Sequence, residues 1–363
     1  RDASRPDTII KCIASPHDNF KMHRYLRKMV IYRLFLFLLL AAPLGAQELT
    51  TFNSGTEASL RGIAPVTDRI IWASGSKGTV GRSSDGGAHW EFKQIPGYTG
   101  LDFRSIVAFD LANALVVSAG TPAVILRTAD GGRTWSERYS NPDSAYFLDA
   151  ATFWNKNRGV VLGDPINGKF VLLHTFDGGF TWQQAPEAQC PAANPGEAAF
   201  AASNSSLQAL PGGHLWLATG GTTARLWYSP DYGQTWTERP CPMLSGKPAT
   251  GTFAMAFKNP MQGIIVGGDY TADSLKTDHV FYTIDGGRTW LTPKTPTGGY
   301  RSGVAWLNSK TAIATGPAGT DISTNGGRTW RKLSANGYHA AKRPTKGKRI
   351  FLSGGKGRLG SVK

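Results

Sequence analysis

The chain has 363 residues, 40% of them hydrophobic and 18% charged, which excludes a disordered polymer. Its 44 glycines and 11 tryptophans suit many short strands joined by tight turns, a composition that fits one body of internal repeats better than separate domains. The formal net charge of +15 is concentrated at the two ends of the chain.

The first 46 residues carry a targeting signature. Arg24, Arg27, Lys28 and Arg33 form a basic start, and Leu34 to Ala42 form an apolar run too short to span a bilayer. Leu44-Gly45-Ala46 supplies the small residues of a cleavage site, with cleavage expected after Ala46; a retained anchor is the alternative. Met29 reads as the start of translation, residues 1–28 as upstream sequence, and residues 47–363 as one exported domain, periplasmic or secreted. Removing residues 1–46 takes away eight basic and three acidic residues and leaves a net charge of +10.

Glu48 to Asn53 is a lone strand-like run. Six copies of one eight-residue pattern follow, beginning at Ser83, Thr128, Thr175, Ser229, Thr283 and Ser323. Each starts with Ser or Thr, has Gly fifth and ends with Trp. The third and eighth residues are Asp85 and Trp90, Asp130 and Trp135, Asp177 and Trp182, Asp231 and Trp236, Asp285 and Trp290, and Asn325 and Trp330. The acidic or Asn positions are 45, 47, 54, 54 and 40 residues apart, the length of one propeller blade. Apolar runs such as Ser105 to Phe109, Ala114 to Ser118 and Val124 to Arg127 precede each pattern, and another strand is expected to begin at its Trp. The pattern is then the turn between third and fourth strands. Its Asp accepts hydrogen bonds from turn amides, its Gly residues adopt positive φ, and its Trp packs between sheets. These residues are therefore assigned structural work.

Tyr338 to Lys342, Arg349 to Ser353 and Gly357 to Val362 match three strands of a seventh unit that lacks the eight-residue pattern. Glu48 to Asn53 can supply its fourth strand and close the ring. The predicted fold is all-β, a seven-bladed propeller of four-stranded antiparallel blades whose last blade is completed by the N-terminal strand. Eight basic residues and no acidic one fall between Lys342 and Lys363. That blade can meet an anionic partner or membrane surface, or serve as a blade edge guarded by charge. Cys190 and Cys241 follow the ends of consecutive repeats, and an oxidising compartment permits one disulfide between them or two free thiols.

The repeated segments resemble the Asp boxes of bacterial sialidases, xyloglucanases and the exported photosystem II assembly and stability factors. The resemblance covers nearly all of residues 48–363, and the run of Asp-Gly-Gly-Arg-Thr-Trp boxes in a single propeller is most like the assembly-factor group. It implies a binding scaffold for a protein or peptide, engaged in assembly or stabilisation of a membrane complex. A glycan-active, sialidase-like hydrolase is the competing class. Sialidases carry Arg-Ile-Pro ahead of their boxes, whereas Arg104 here is followed by Ser105 and Ile106, and no Tyr nucleophile is assigned.

A site is expected on the face opposite the boxes. Arg61, Arg104 and Arg301 occupy matching places in Leu60-Arg61-Gly62, Phe103-Arg104-Ser105 and Tyr300-Arg301-Ser302. Three guanidinium groups there can hold a carboxylate or an acidic peptide. Asp164 and Asp269 follow second strands at equivalent positions, Tyr270 and Tyr300 are nearby, and Asp149 and Glu197 stand near the starts of innermost strands. The four acids can orient the arginines or, less simply, supply a general acid and base. Gly355 to Gly360 fits a dinucleotide pattern by letter, but no helix follows it. No cofactor, metal or nucleic acid is expected, and the propeller is expected to be a monomer.

Overall fold

The computed structural model describes residues 47–363; the leader, its cleavage point and Met29 lie outside them. The described chain forms seven antiparallel sheets arranged as the blades of a propeller. Blade 2 shows the plan, with strands Phe103–Ala108, Ala114–Ser118, Ala123–Thr128 and Ser136–Asn141 in spatial order. Its second and third strands are buried at every residue because the sheet is covered on both faces by neighbouring blades. Its fourth strand is mainly exposed and forms the outer rim.

The core lies between blades. Trp72 and Val80 of blade 1, for example, pack with Ile106, Val116 and Leu126 of blade 2 in one apolar cluster. Burial of each such Val, Leu or Ile side chain contributes about 1.5–3 kcal/mol, so each interface is a distributed seam.

The ring closes as the sequence predicts. Leu49–Phe52 pairs antiparallel with Leu359–Val362, Leu49 opposite Val362 and Phe52 opposite Leu359. The N-terminal strand is thus the outer strand of a sheet completed by Ile350–Ser353 and Ala340–Lys342. Blade 5 departs from the plan: after Val280–Thr283 its fourth strand shrinks to the bridge between Tyr282 and Leu291. Pro293, two residues on, has no N–H to continue a ladder.

Each box is a closed hydrogen-bond unit. In the second, the Thr128 hydroxyl donates to Asp130 Oδ1 at 2.9 Å and accepts the Gly132 amide at 2.9 Å. Asp130 also accepts the Arg133 and Thr134 amides and the Thr134 hydroxyl. Gly131 and Gly132 have φ of 77° and 80°, the left-handed region the turn requires. Fourth strands begin one residue after the Trp, as at Glu91, Ser136 and Arg331, because the Trp still belongs to the turn. Trp330 is buried; the other five box tryptophans are only partly covered.

The two thiols are free and not bridged. Cys190 packs in the seam between blades 3 and 4 with its Sγ 3.5 Å from Pro186 O. Cys241 faces the seam between blades 4 and 5, with its Sγ 3.3 Å from the Thr252 hydroxyl. Consecutive repeats place them in consecutive seams, separated by a blade.

Candidate functional site

The innermost strands run in one direction along the propeller axis, so their first residues converge at one mouth. In blades 1, 2, 3 and 5 the pairing of first and second strands skips one residue there, between Leu60 and Gly62, Phe103 and Ser105, Leu148 and Ala150, and Thr252 and Ala254. The skipped residues are Arg61, Arg104, Asp149 and Phe253. A bulge bends the strand and re-aims one side chain, and all four line a cavity of about 560 Å³ at this mouth. The other walls include Phe147, Phe200, Tyr270, Tyr300 and His339, with Asp164 from a bulge near the end of the second strand of blade 3.

The cavity has an aromatic side and a charged side. Phe200 stacks on Phe253 at 3.9 Å between ring centroids, and Tyr300 meets Phe253 edge-on at 4.8 Å. Tyr270, 53% exposed, stands at the entrance with its ring edge-on to Phe253. Arg104 Nε donates to Asp102 Oδ2 at 2.8 Å. Arg61 has no carboxylate partner among the described residues; its Nη1 makes a long 3.4 Å contact to Ala202 O. Burial, and the like charge of Arg104, lower its pKa.

Asp149 is fully buried and neither carboxylate oxygen has a hydrogen-bond partner. Burial, reinforced by the negative charge of Asp164, raises its pKa well above the usual carboxylate range. Asp164 accepts the Ala199 amide at 2.9 Å, and burial pushes its pKa up to about 6. His339 is pushed down to about 3, first by burial and then by Arg61 and Arg104, so its imidazole is neutral near pH 7. An anion entering this space meets the guanidinium groups of Arg61 and Arg104, the first without a carboxylate of its own among the described residues.

Three residues expected here lie elsewhere. Arg301 is 2% exposed; its Nε donates to Asp321 Oδ2 at 2.7 Å and its Nη1 to Tyr300 O at 2.7 Å. No bulge occurs in the first strand of blade 6 to turn it into the channel, and Asp321 on the third strand neutralises it. Asp269 is buried against Thr271, whose hydroxyl and amide donate to it at 2.6 and 2.8 Å, bonds that lower its pKa. Glu197 is locked by the Arg225 guanidinium and the Thr219 hydroxyl. Neither Asp269 nor Glu197 orients the cavity arginines.

The sequence did not signal the floor of the cavity. Ala201 to Ser206, without alternation, crosses the channel. Asn204, at φ 55°, ties this segment to blades 2 and 3: its Oδ1 accepts the Ala151 amide at 2.7 Å and its Nδ2 donates to Ile106 O at 3.2 Å. Lys342 of blade 7 donates to Asn204 O at 3.0 Å, and the Met255 amide of blade 5 to Ser205 O at 3.0 Å. The channel is plugged by this segment, and its far mouth is a separate recess lined by Lys342, Arg343, Lys156 and Trp154.

A family model described as photosynthesis system II assembly factor YCF48 matches residues 46–142 and 107–209. The photosystem II assembly protein Ycf48 of Synechococcus sp. (strain JA-2-3B'a(2-13)) is 25% identical over 329 residues, covering 68% of this chain and 95% of that protein. A solved structure of YCF48 bound to D1 peptide superposes with a TM-score of 0.58 at 17% identity, over 88% of this chain and 96% of the other. The GH74 xyloglucanase of Xanthomonas campestris gives a TM-score of 0.55 at 15% identity, over 86% of this chain and 53% of the enzyme. These two superpositions share the fold alone. By its repeats, its closed ring and these matches, the chain is an Asp-box β-propeller similar to the photosystem II assembly and stability factor family.

Proposed function

We propose that this propeller is an exported scaffold that binds an acidic or C-terminal peptide segment of a protein partner in the Arg61–Arg104 cavity. The observation that carries the reading is the half-buried Arg61 guanidinium, which lines the cavity without a carboxylate partner among the described residues. A peptide carboxylate supplies what it lacks, and the aromatic side accommodates the apolar residues beside it. Arg301, Asp269 and Glu197 are left out because their own partners satisfy them. The D1 peptide held by YCF48 is a precedent for a peptide on this fold.

Titration of the full chain with a fluorescent peptide of acidic sequence and free C-terminus tests this. Arg61→Ala with Arg104→Ala is expected to weaken binding by about 2–5 kcal/mol, the cost of removing buried charged hydrogen bonds. Added salt is expected to weaken the wild type as well. Unchanged affinity in the double variant would remove the cavity from the binding reaction.

A glycoside hydrolase is the second reading, favoured by Asp149 and Asp164 lining one cavity with raised pKa values. Hydrolysis of aryl glycosides or sialosides by the wild type, lost in Asp164→Asn, would replace the scaffold reading.

A further inference from the structure

First and third strands of every blade run away from the cavity mouth, so the turns that leave them, including all six boxes, end together on the opposite face. Among the described residues, five of the eight exposed large apolar side chains stand on these turns: Leu111, Phe176, Phe180, Met261 and Ile284. Phe176 is 57% exposed and Ile284 52%, although both occupy the second position of a box, where neither contributes to its hydrogen bonds. The aromatic tips are flanked by guanidinium groups: Arg127 lies 3.8 Å from the Phe180 ring centroid and Arg158 5.4 Å from that of Phe176.

The blade 6–7 arc of this face is basic. Blade 6 has Asn325 where the other boxes have Asp, and blade 7 has no box, so this arc lacks two carboxylates that the repeat would otherwise place there. Lys310, Arg328, Arg343, Lys346 and Lys348 are exposed on it. Asp68, beside this arc, accepts the Lys348 and Arg349 amides.

We infer that the box face docks on an anionic phospholipid bilayer, with the blade 6–7 arc against lipid phosphates and the apolar tips of blades 2, 3 and 5 in the headgroup layer. The tips are divided among three blades, and those of blade 3 lie against guanidinium groups. A fluid anionic surface accepts that arrangement without shape complementarity, whereas a protein partner selects a contiguous apolar patch. Charge complementarity fixes the occupant: juxtamembrane Lys and Arg are attracted to anionic headgroups within a Debye length. This docking leaves the Arg61 cavity facing away from the lipid and does not rest on the peptide reading.

Co-sedimentation of the full chain with vesicles tests it, using phosphatidylcholine alone and phosphatidylcholine with 30% phosphatidylglycerol (about the anionic fraction needed for a strongly negative surface). The N-terminal segment is unchanged in all variants and drops out of the comparison. Arg343→Ala with Lys346→Ala and Lys348→Ala is expected to lower partition onto anionic vesicles at least tenfold, and Phe176→Ser with Ile284→Ser severalfold, with circular dichroism unchanged. Arg61→Ala with Arg104→Ala is expected to leave partition unchanged. Equal partition of wild type and the triple variant, or equal wild-type binding to both vesicle types, overturns the inference. So does a hexaglutamate peptide that binds in place of vesicles and is lost in the triple variant, because the face then takes an acidic protein.

Discussion

Asp164 and Asp149 share a cavity wall. Asp164 keeps the Ala199 amide as donor and titrates near pH 6, whereas burial, reinforced by the negative charge of Asp164, raises Asp149 above the usual carboxylate range. A bound peptide carboxylate titrates near pH 3.5 and His339 near 3, so neither changes charge between pH 7.5 and 5.5. Over that window a falling pH adds a proton to Asp164 and removes a negative charge that opposes the ligand. Affinity for the acidic peptide is therefore expected to rise by roughly three- to tenfold from pH 7.5 to 5.5, and Asp164→Asn is expected to flatten the profile at the tighter limit. Titrations at three pH values check this; a rise of the same size in the variant would assign the proton elsewhere. The matching places of Arg61 and Arg104 were legible because two blades repeat the same bulged start. Arg301 misled because its spacing matches while its counter-ion, Asp321, lies on another strand and has no repeat equivalent.

At the scale of the element, the box is a turn whose carboxylate stays ionised. Hydroxyl and amide donors hold Asp177 and Asp285 at about 2 despite the opposing effect of burial. The box was legible because its hydrogen-bonding residues must sit at fixed spacing. The burial of its Trp was not, because that depends on the neighbouring blade. Trp330 is 3% exposed and packs with Val266, Val304 and Ala314, whereas Trp135 is partly open and meets Trp72 edge-on. Trp330→Ala is thus expected to cost about 3–5 kcal/mol and Trp135→Ala about half of that. Chemical denaturation of both variants measures the difference; equal losses would mean that the seams do not differ as their exposure indicates.

At the scale of the molecule, stability depends on a ring without a free inner seam, and the join in that ring is a single four-residue strand. Its existence was legible because the seventh unit offers three strand-like runs and Glu48 to Asn53 offers the fourth. The plug was not, since Asn204 reaches blades 2 and 3 through side-chain bonds that no repeat announces. The clasp also does more than pair backbone: Leu49 packs with the blade 6–7 core, and Phe52 lies against Gly87, where an added Cβ would come within 2.8 Å of its ring. Deleting Glu48 to Asn53 removes that packing and a run of ladder bonds worth about 0.5–1.5 kcal/mol each. It also uncovers Leu359–Val362 as an open edge. A fall in Tm of roughly 10 °C is expected for a domain of this size, together with concentration-dependent self-association through the new edge. Deleting six residues from 13–18 is the control and should leave Tm unchanged. Equal Tm values for the two deletions would show that the six remaining blades and the other three strands of the seventh hold the ring without its N-terminal strand.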